Sequence, residues 1–238
     1  MTPGYRNMTA SYFVAGTDTG VGKTRVTCGL LVAARAAGHR VAGMKPVSAG
    51  LIDVNGRMIN EDVVEIMASS GQNDLVDQVN PFALDLPVSP HIAAKKQYIE
   101  LDIGTITAAA HGLATGRELL LIEGAGGWHA PISDRATMAA VAVALQAPVL
   151  LVVGLKLGCL NHARLTLEAI ERSGLRLAGW IGSEIEQKMP EKDENRRYLD
   201  ILFGEPALGW LPYSTDRSAD AQRLGSALPR LLQVRASL

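Results

Sequence analysis

The most constraining feature of the chain is the stretch from Gly16 to Thr24, which reads Gly-Thr-Asp-Thr-Gly-Val-Gly-Lys-Thr. An apolar run over residues 12–15 precedes it, and a helix-like run over residues 25–37 follows it. A strand, a glycine-rich turn ending in Gly-Lys-Thr and a helix form the layout of a phosphate-binding loop. The strict pattern places glycine six positions before Lys23, whereas this chain has Thr17 there and Gly16 one step earlier.

In such a loop, glycines let several backbone N–H groups point into one hollow, to which the following helix adds its positive end. Lys23 is then expected to reach the β- and γ-phosphates of a nucleotide, and the Thr24 hydroxyl to bind Mg²⁺. The alternative is a glycine-rich turn that serves only to join a strand to a helix.

Apolar runs that read as strands alternate with helical patterns along the chain. We predict strands over 11–15, 40–44, 118–123, 149–155, 177–181 and 207–211. We predict helices over 23–37, 61–69, 91–96, 102–115, 137–145, 163–173, 193–202 and 219–232. This order predicts an α/β fold, a single-domain doubly wound, mainly parallel sheet with helices on both faces, like that of P-loop NTPases. Residues 11–238 would form this one domain, and residues 1–10 a disordered extension.

Composition argues against several classes of partner. The net charge of −1 provides no electrostatic footprint for nucleic acid or for an anionic membrane. The most apolar run, residues 148–155, is too short to span a bilayer, and the first nine residues contain no signal-peptide core. Two cysteines without a CxxC motif fit a reducing compartment, so we expect a cytoplasmic protein.

Polar residues follow several predicted strands, at the sheet edge where α/β proteins bind ligands. Glu123 ends an apolar strand before a Gly-Ala-Gly-Gly turn, where an acid can be the second ligand of a nucleotide's Mg²⁺. Lys45 ends the second strand, which we expect to pair with the first and so to bring Lys45 close to Lys23. Asp62 lies in the first turn of a helix capped by Asn60. The alternative for Glu123 is an acid exposed at the surface, and the alternative for Lys45 is a solvated lysine. The alternative for Asp62 is an acid that is favoured only by the helix dipole.

A set of motifs, in order and at these spacings, resembles the dethiobiotin synthetase family from Tyr12 to about Asp220. The blocks are Gly16 to Thr24, Gly43-Met44-Lys45-Pro46-Val47, Pro81-Phe82, Ser89-Pro90-His91, Glu123-Gly124-Ala125-Gly126-Gly127-Trp128, Val153 to His162 and Ala178-Gly179-Trp180. The phosphate loop is shared widely, whereas the Lys-Pro-Val and Lys-Leu-Gly-Cys-Leu-Asn blocks are much more specific.

The resemblance implies an ATP- and Mg²⁺-dependent ring closure in biotin biosynthesis. The substrates would be 7,8-diaminopelargonate (7,8-diaminononanoate) and CO₂, and the reaction would pass through a carbamic–phosphoric anhydride to dethiobiotin. The family is homodimeric, with the diamine site at the subunit interface.

The resemblance also implies site residues. The catalytic residues would be Lys23 and Lys45, and the metal ligands Thr24, Asp62 and Glu123. The nucleotide would contact Gly20, Val21, Gly22, Lys23, Thr24, Arg25, Asp62, Glu123, Gly124, Ala125, Gly126, Ser183, Glu184, Pro212, Tyr213 and Ser214. The substrate would contact Ser48, Ala49, Ser89, Pro90, His91 and, from the neighbouring chain, Leu157, Gly158, Cys159, Leu160 and Asn161.

The chain departs from the family pattern at three places. Ala49 stands where relatives often have Ser or Thr, with Ser48 beside it. Ser183-Glu184 replaces a common Asn-Asp pair, so one hydroxyl stands in for an amide that both donates and accepts hydrogen bonds. We therefore expect this chain to discriminate adenine from other bases less well than relatives with Asn-Asp do. Gly20 stands where some relatives have an acid.

Two other classes share such a loop. A partitioning or site-selection ATPase, which is a dimerising switch, carries a signature lysine near the start of the loop, where this chain has Asp18. A cobyrinate-type amidoligase needs a glutaminase domain with a nucleophilic cysteine, for which 238 residues leave no room. Both alternatives therefore fit the sequence less well than the synthetase.

Overall fold

The computed structural model describes residues 9–72 and 75–233. Its strands are β1 (Ala10–Gly16), β2 (Val41–Met44), β3 (Val47–Ala49), β4 (Ile52–Val54), β5 (Arg57–Ile59), β6 (Phe82–Leu84), β7 (Leu119–Glu123), β8 (Val149–Leu155), β9 (Leu177–Glu184) and β10 (Gly209–Leu211). Its helices are α1 (Lys23–Ala36), α2 (Glu61–Ser70), α3 (Val76–Val79), α4 (Pro90–Lys96), α5 (Ile103–Ala114), α6 (Met138–Ala144), α7 (Cys159–Arg172), α8 (Lys192–Phe203), α9 (Asp220–Leu224) and α10 (Leu228–Gln233).

Six strands form one parallel sheet in the order β10-β9-β8-β1-β7-β2. Our expectation that the second strand pairs with the first is wrong, because β7 lies between β1 and β2. As a consequence, Lys45, which follows β2, lies next to Glu123 at the end of β7. It is also one strand further from the phosphate-binding loop than we predicted.

Helices cover both faces of this sheet. Every residue of β1, β7 and β8 is buried, as expected for strands in contact with helices above and below. Helices α1 and α5 both pack on β2 and β7, and α1 also packs against α2 and α9. The predicted α/β fold with a mainly parallel sheet is therefore confirmed.

Several element boundaries differ from the predicted ones. Strand β1 begins one residue early, at Ala10, and β9 continues three residues beyond the predicted end. Helix α7 begins four residues early, at Cys159. The predicted final helix is broken by a 3₁₀ turn at Gly225–Ala227, where glycine lowers helix propensity. Of the predicted N-terminal extension, residues 1–8 lie outside the described residues.

The region over residues 47–97 contains short elements that the sequence did not reveal. Strands β3 and β6 pair in parallel, and β4 and β5 form an antiparallel hairpin. Helix α2 begins as predicted, since the side chain of Asn60 accepts a hydrogen bond from the N–H of Asp62 at 3.1 Å. The described residues of this region therefore form a wall beside the carboxyl end of β2.

Candidate active site

The phosphate-binding loop has its glycines where the backbone needs them. Gly20 and Gly22 have φ of +72° and +89°, the left-handed region that favours glycine. The first helical hydrogen bond of α1 runs from the N–H of Val26 to the carbonyl of Gly22 at 3.0 Å. The N–H groups of residues 23–25 therefore have no partner within the helix and are available to an anion.

The side chain of Lys23 folds back over the loop. Its ammonium donates to the carbonyl oxygen of Asp18 at 3.1 Å. A Cβ atom at Gly16 would lie 3.0 Å from the Lys23 nitrogen and 2.7 Å from the side chain of Val21. A side chain at position 16 would therefore displace that of Val21, so the structure favours glycine at this position.

Burial makes Lys23 easier to deprotonate than an exposed lysine. Burial, and next the positive charge of Lys45, lower the pKa of Lys23 to about 8, although Glu123, Asp62 and Asp18 act in the opposite direction. An anion bound in the loop would favour the charged form of this lysine.

Lys45 lies between two carboxylates at the ends of neighbouring elements. Its ammonium is 2.6 Å from Oε1 of Glu123 and 2.8 Å from Oδ2 of Asp62. Burial opposes the charge on Lys45, but the two carboxylates outweigh burial and raise its pKa above the usual value. Burial also opposes the charge on Asp62 and by itself would raise the pKa of this carboxyl group. The contacts with Lys45 and Thr24 outweigh burial, so the pKa of Asp62 is lowered.

Thr24 joins this cluster, and its hydroxyl donates to Oε1 of Glu123 at 2.8 Å. The other carboxylate oxygen of Glu123, Oε2, is buried and has no hydrogen-bond partner among the described residues. Three oxygen-bearing side chains, those of Thr24, Asp62 and Glu123, therefore converge on one place.

These residues fit a magnesium ion. Hard cations take oxygen ligands, and Mg²⁺ is bound by one or two carboxylates together with substrate phosphates. The orphaned Oε2 of Glu123 is a polar atom that such an ion would satisfy. In the described part of the chain no three His, Cys, Asp or Glu side chains form a metal-binding cluster.

A cavity of about 400 Å³ lies above the loop. Most of the residues predicted to contact the nucleotide line it: Gly20, Gly22, Lys23, Thr24, Arg25, Asp62, Glu123, Gly126, Ser183, Glu184, Tyr213 and Ser214. Three lining residues were not predicted, namely Thr19, Ile185 and Arg217. The predicted residues Val21, Gly124, Ala125 and Pro212 do not line it.

Two of the predicted nucleotide contacts have other partners. Arg25 donates from its guanidinium to both carboxylate oxygens of Asp220, at 2.6 and 2.7 Å, and to the carbonyl of Pro212 at 2.8 Å. Its backbone N–H is thus the group left for a nucleotide. Glu184 accepts hydrogen bonds from the indole of Trp210 at 2.8 Å and lies 2.9 Å from the ammonium of Lys192.

These contacts determine which polar groups Ser183 and Glu184 offer to a ligand in the cavity. Burial would raise the pKa of Glu184, but the Trp210 and Lys192 contacts lower it overall, so the residue is a fixed anion. Ser183 is buried, and its Oγ lies 2.6 Å from where a Cβ atom of Gly22 would stand. A single hydroxyl close to the loop is therefore the polar group that Ser183 supplies.

A second cavity, of about 470 Å³, adjoins the first and shares Thr19, Lys45, Asp62 and Gly126 with it. Of the predicted substrate contacts, Ser48, Ala49, Ser89 and Pro90 line this cavity, whereas His91 does not. The imidazole Nδ1 of His91 lies 2.9 Å from the hydroxyl of Ser89. The hydroxyl of Ser48 donates to the side-chain oxygen of Asn80 at 2.8 Å.

The remaining predicted substrate contacts, Leu157 to Asn161, line neither cavity. They form the turn after β8 and the first turn of α7, where Leu157 is 96 % exposed and Cys159 is buried. Beside them, Lys156 forms an ion pair with Asp18 at 2.9 Å. The hydrogen bonds from Lys156 and the N–H of Thr19 hold the pKa of Asp18 below its usual value.

Comparison with known proteins identifies the family. A family model described as an AAA domain matches residues 10–221. The ATP-dependent dethiobiotin synthetase BioD of Aromatoleum aromaticum is 43% identical over 218 residues, which cover 92% of this chain and 96% of the relative. The chain belongs to the dethiobiotin synthetase family. The synthetases of Alteromonas mediterranea and Nitrosospira multiformis are each 44% identical, and cover 92% and 93% of this chain and 98% and 95% of their own length.

Membership of the dethiobiotin synthetase family confirms the resemblance read from the motifs. The chain is an ATP-dependent ligase, and the comparison supports a role in biotin biosynthesis. The partitioning-type switch, our alternative, is not favoured.

Solved structures show how widely the synthetase fold is shared. The MinC:MinD cell division complex of Aquifex aeolicus has a TM-score of 0.58 at 13% identity, covering 96% of this chain and 97% of that one. A ParA family ATPase from Chlorobium tepidum has a TM-score of 0.54 at 15% identity, covering 94% and 95%. At these identities the likeness concerns the fold alone. Within residues 9–72 and 75–233, no helix is long and apolar enough to cross a membrane.

Proposed function

We propose that this ligase closes the ureido ring of dethiobiotin from 7,8-diaminopelargonate and CO₂, with ATP and Mg²⁺. The observation that carries the proposal is the pair of adjoining cavities that share Lys45 and Asp62. One cavity is lined by the phosphate-binding loop, and the other by Ser48, Ala49, Ser89 and Pro90, four of the residues that the family resemblance assigns to the diamine. The shared wall is where the end of a triphosphate would meet the atom that it activates.

The triphosphate would bind with its phosphates on the free N–H groups of residues 23–25 and on Lys23. Lys23 lies among the groups that would neutralise the γ-phosphate, and a bound anion would restore its full charge. The part of the cavity lined by Ser183 and Tyr213 would take the base.

Magnesium would be held by Thr24, Asp62 and Glu123. When bound, it would neutralise charge on the β- and γ-phosphates as the phosphoryl group is transferred. Glu123 is the last residue of β7 and is completely buried, and hydrogen bonds from Thr24 and Lys45 fix the position of its carboxylate.

The chemistry would take place in three steps. One amine of the diamine adds to CO₂ and loses a proton, which gives a carbamate. A carbamate oxygen attacks the γ-phosphorus of ATP, ADP leaves, and a carbamic–phosphoric anhydride remains. The second amine then attacks the carbonyl carbon and loses a proton, the C–O bond to phosphate breaks, phosphate leaves with that oxygen, and the cyclic urea closes.

The residues of this chain would act by position and charge. Lys45 lies at the boundary of the two cavities and would stabilise both the carbamate and the transferring phosphoryl oxygens. Closing a ring within one bound molecule needs correct placement above all, which two fixed cavities provide.

A homodimer would complete the diamine cavity. Leu157 to Asn161 line neither cavity of their own chain, and Leu157 is almost fully exposed. We propose that these residues contact the carboxylate tail of the diamine bound by a second copy. We also place the enzyme in the cytoplasm, in keeping with its free thiols at Cys28 and Cys159.

Base selectivity would be weak. Ser183 offers one hydroxyl, and Glu184 is engaged by Trp210 and Lys192. We expect GTP or CTP to inhibit or replace ATP measurably; turnover that ATP alone supports, with no inhibition by either, contradicts this part of the proposal.

Phosphate release from ATP tests the proposed function. We expect release to rise strongly when diamine and bicarbonate are both added, with dethiobiotin detected as the product by mass spectrometry. Either one alone, DNA, or lipid vesicles should have no effect. Stimulation by DNA or lipid without dethiobiotin would instead support a switch ATPase.

A further inference from the structure

Arg217 lines the proposed nucleotide cavity and has no role in the account given so far. It follows Ser214 by three residues, and Ser214 adjoins Tyr213 in the segment that we propose to contact the base. Its guanidinium donates to Oε2 of Glu65, on α2, at 2.7 Å. Both partners are accessible: the Arg217 side chain is 54% exposed and the Glu65 side chain 36%.

Arg217 is the cation of this cavity that can be redirected at least cost. Four cationic side chains line the cavity in the described part of the chain, and one of them, Lys23, is already assigned to the outer phosphates. Arg25 is in a buried pair with Asp220. Lys45 is buried between Glu123 and Asp62. An exposed ion pair contributes little to stability, so Arg217 can leave Glu65 easily, whereas breaking a buried pair is costly.

Arg217 is connected to both ends of the proposed nucleotide site, through its ion pair with Glu65 on α2 and through its nearness in sequence to Ser214. Glu65 follows Asp62 by three residues on α2, so both side chains lie on the same face of that helix, one turn apart. Asp62 belongs to the phosphate and metal end, while Ser214 belongs to the base end. The group that lies between a base and its outer phosphates is the ribose with the α-phosphate, and of these the α-phosphate carries the charge.

We propose that Arg217 leaves Glu65 and binds the α-phosphate when a nucleotide enters the cavity, so that Glu65 is the competing resting partner of this arginine. The inference rests on the proposed function, because it places the nucleotide in this cavity. A guanidinium suits this task, since its fork of N–H donors matches the geometry of a phosphate.

Opposite effects of two substitutions test the inference. Calorimetric titration with ADP should show weaker binding for Arg217→Ala, by roughly fivefold to tenfold as for a lost charge-assisted hydrogen bond. Glu65→Gln should bind ADP more tightly, by roughly twofold to fivefold, because the arginine no longer has to leave an ion pair. If Glu65 merely holds Arg217 in a structural contact, both substitutions weaken binding or neither changes it, and the inference is overturned.

A series of ligands locates the contact. The loss caused by Arg217→Ala should be absent for adenosine and present for AMP and ADP; a loss already present for adenosine overturns the assignment to the α-phosphate. Arg217→Gln replaces the alanine variant if the latter does not fold. Arg197→Ala removes another exposed arginine paired with a glutamate, on α8, and should bind ADP as the parent does.

Failure of the proposed function has a separate signature. Lys23→Met should abolish tight ADP binding if the phosphates lie on the loop. If Lys23→Met binds ADP as tightly as the parent, the nucleotide does not bind in this cavity and both proposals are overturned. If Lys23→Met loses ADP binding while Arg217→Ala and Glu65→Gln change ADP affinity in the same direction, only the inference about Arg217 is overturned.

Discussion

The ammonium nitrogen of Lys45 lies 2.6 Å from Oε1 of Glu123, although 78 residues separate the two in the chain. The contact exists because β7 is inserted between β1 and β2, so the ends of β2 and β7 are neighbours. Both side chains are buried, Glu123 completely. Removing Lys45 would leave the buried carboxylate of Glu123 without a cationic partner, so this lysine contributes to the stability of the fold as well as to the proposed chemistry.

Replacement of Lys45 should affect both activity and stability. The sequence alone suggests that a strand-end lysine can be removed without harm to the fold, but its burial against Glu123 revises that view. We expect Lys45→Met to lose nearly all turnover and roughly 3 kcal/mol of unfolding free energy, measured by urea denaturation. Lys95→Met, at an exposed position on α4, is the control. A Lys45→Met protein that keeps most of its activity would remove this lysine from the mechanism.

A double substitution separates the two effects. Lys45→Met combined with Glu123→Gln removes both charges, so part of the lost stability should return, while turnover should stay low. Full additivity of the two stability losses would show that the two side chains do not interact.

Glu123→Gln should raise the Mg²⁺ requirement. The amide keeps the shape of the side chain but lacks the charge that an ion would need, so half-saturation with Mg²⁺ in turnover should rise on the order of tenfold. The control is Glu118→Gln, immediately before the other end of β7 and away from the cavity. An unchanged metal titration would show that Glu123 is not a ligand.

Tyr12 should make stability depend on pH in alkaline solution. Burial raises its pKa to about 12, against opposing effects of Arg176 and Arg230, and its hydroxyl donates to the carbonyl of Leu231 at 2.7 Å. Because the folded pKa exceeds the unfolded value of 10, the unfolded chain loses this proton first. The contribution to stability is therefore complete below pH 10 and is lost as the pH rises toward 12.

Tyr12→Phe isolates this contribution. At pH 8 the parent should be more stable than the variant by about 1 kcal/mol, the value of one hydrogen bond. By pH 11 this advantage should shrink by about 1 kcal/mol, as proton linkage requires. Urea denaturation at both pH values measures it, and a constant difference would contradict the assignment.

Leu157→Asp should separate the proposed dimer. The side chain is almost fully exposed, so the substitution should leave the monomer folded while it places a charge in an apolar contact between chains. We expect a monomer in light scattering and a large loss of turnover at saturating ATP. Ile201→Asp, at another exposed apolar residue, should remain dimeric and active; a Leu157→Asp protein that does the same places the interface elsewhere.

Local signals made part of this structure predictable from sequence. The loop, the cap at Asn60 and the apolar strands depend on residues close together in the chain, and all three were found where expected. The polar residues at the strand ends do lie at one edge of the sheet, because parallel strands all end on the same side.

The order of the strands and the contacts between residues distant in sequence could not be predicted from local sequence patterns. Nothing around Lys45 indicates that β7 is its neighbour, and nothing around Arg217 indicates its contact with Glu65, 152 residues away. Strands β3 to β6 are three residues each, too short for a period to stand out. The buried ion pair between Arg25 and Asp220 could likewise be identified only from the structure.

The transfer of oxygen from carbon dioxide to phosphate tests the ring-closing account most directly. In a single turnover with freshly added C¹⁸O₂ in unlabelled water, attack of a carbamate oxygen on the γ-phosphorus must carry that oxygen into the released phosphate. The account predicts one ¹⁸O atom in the phosphate, seen by mass spectrometry, alongside dethiobiotin. Dethiobiotin formed with unlabelled phosphate, under conditions where the CO₂ has kept its label, would contradict it.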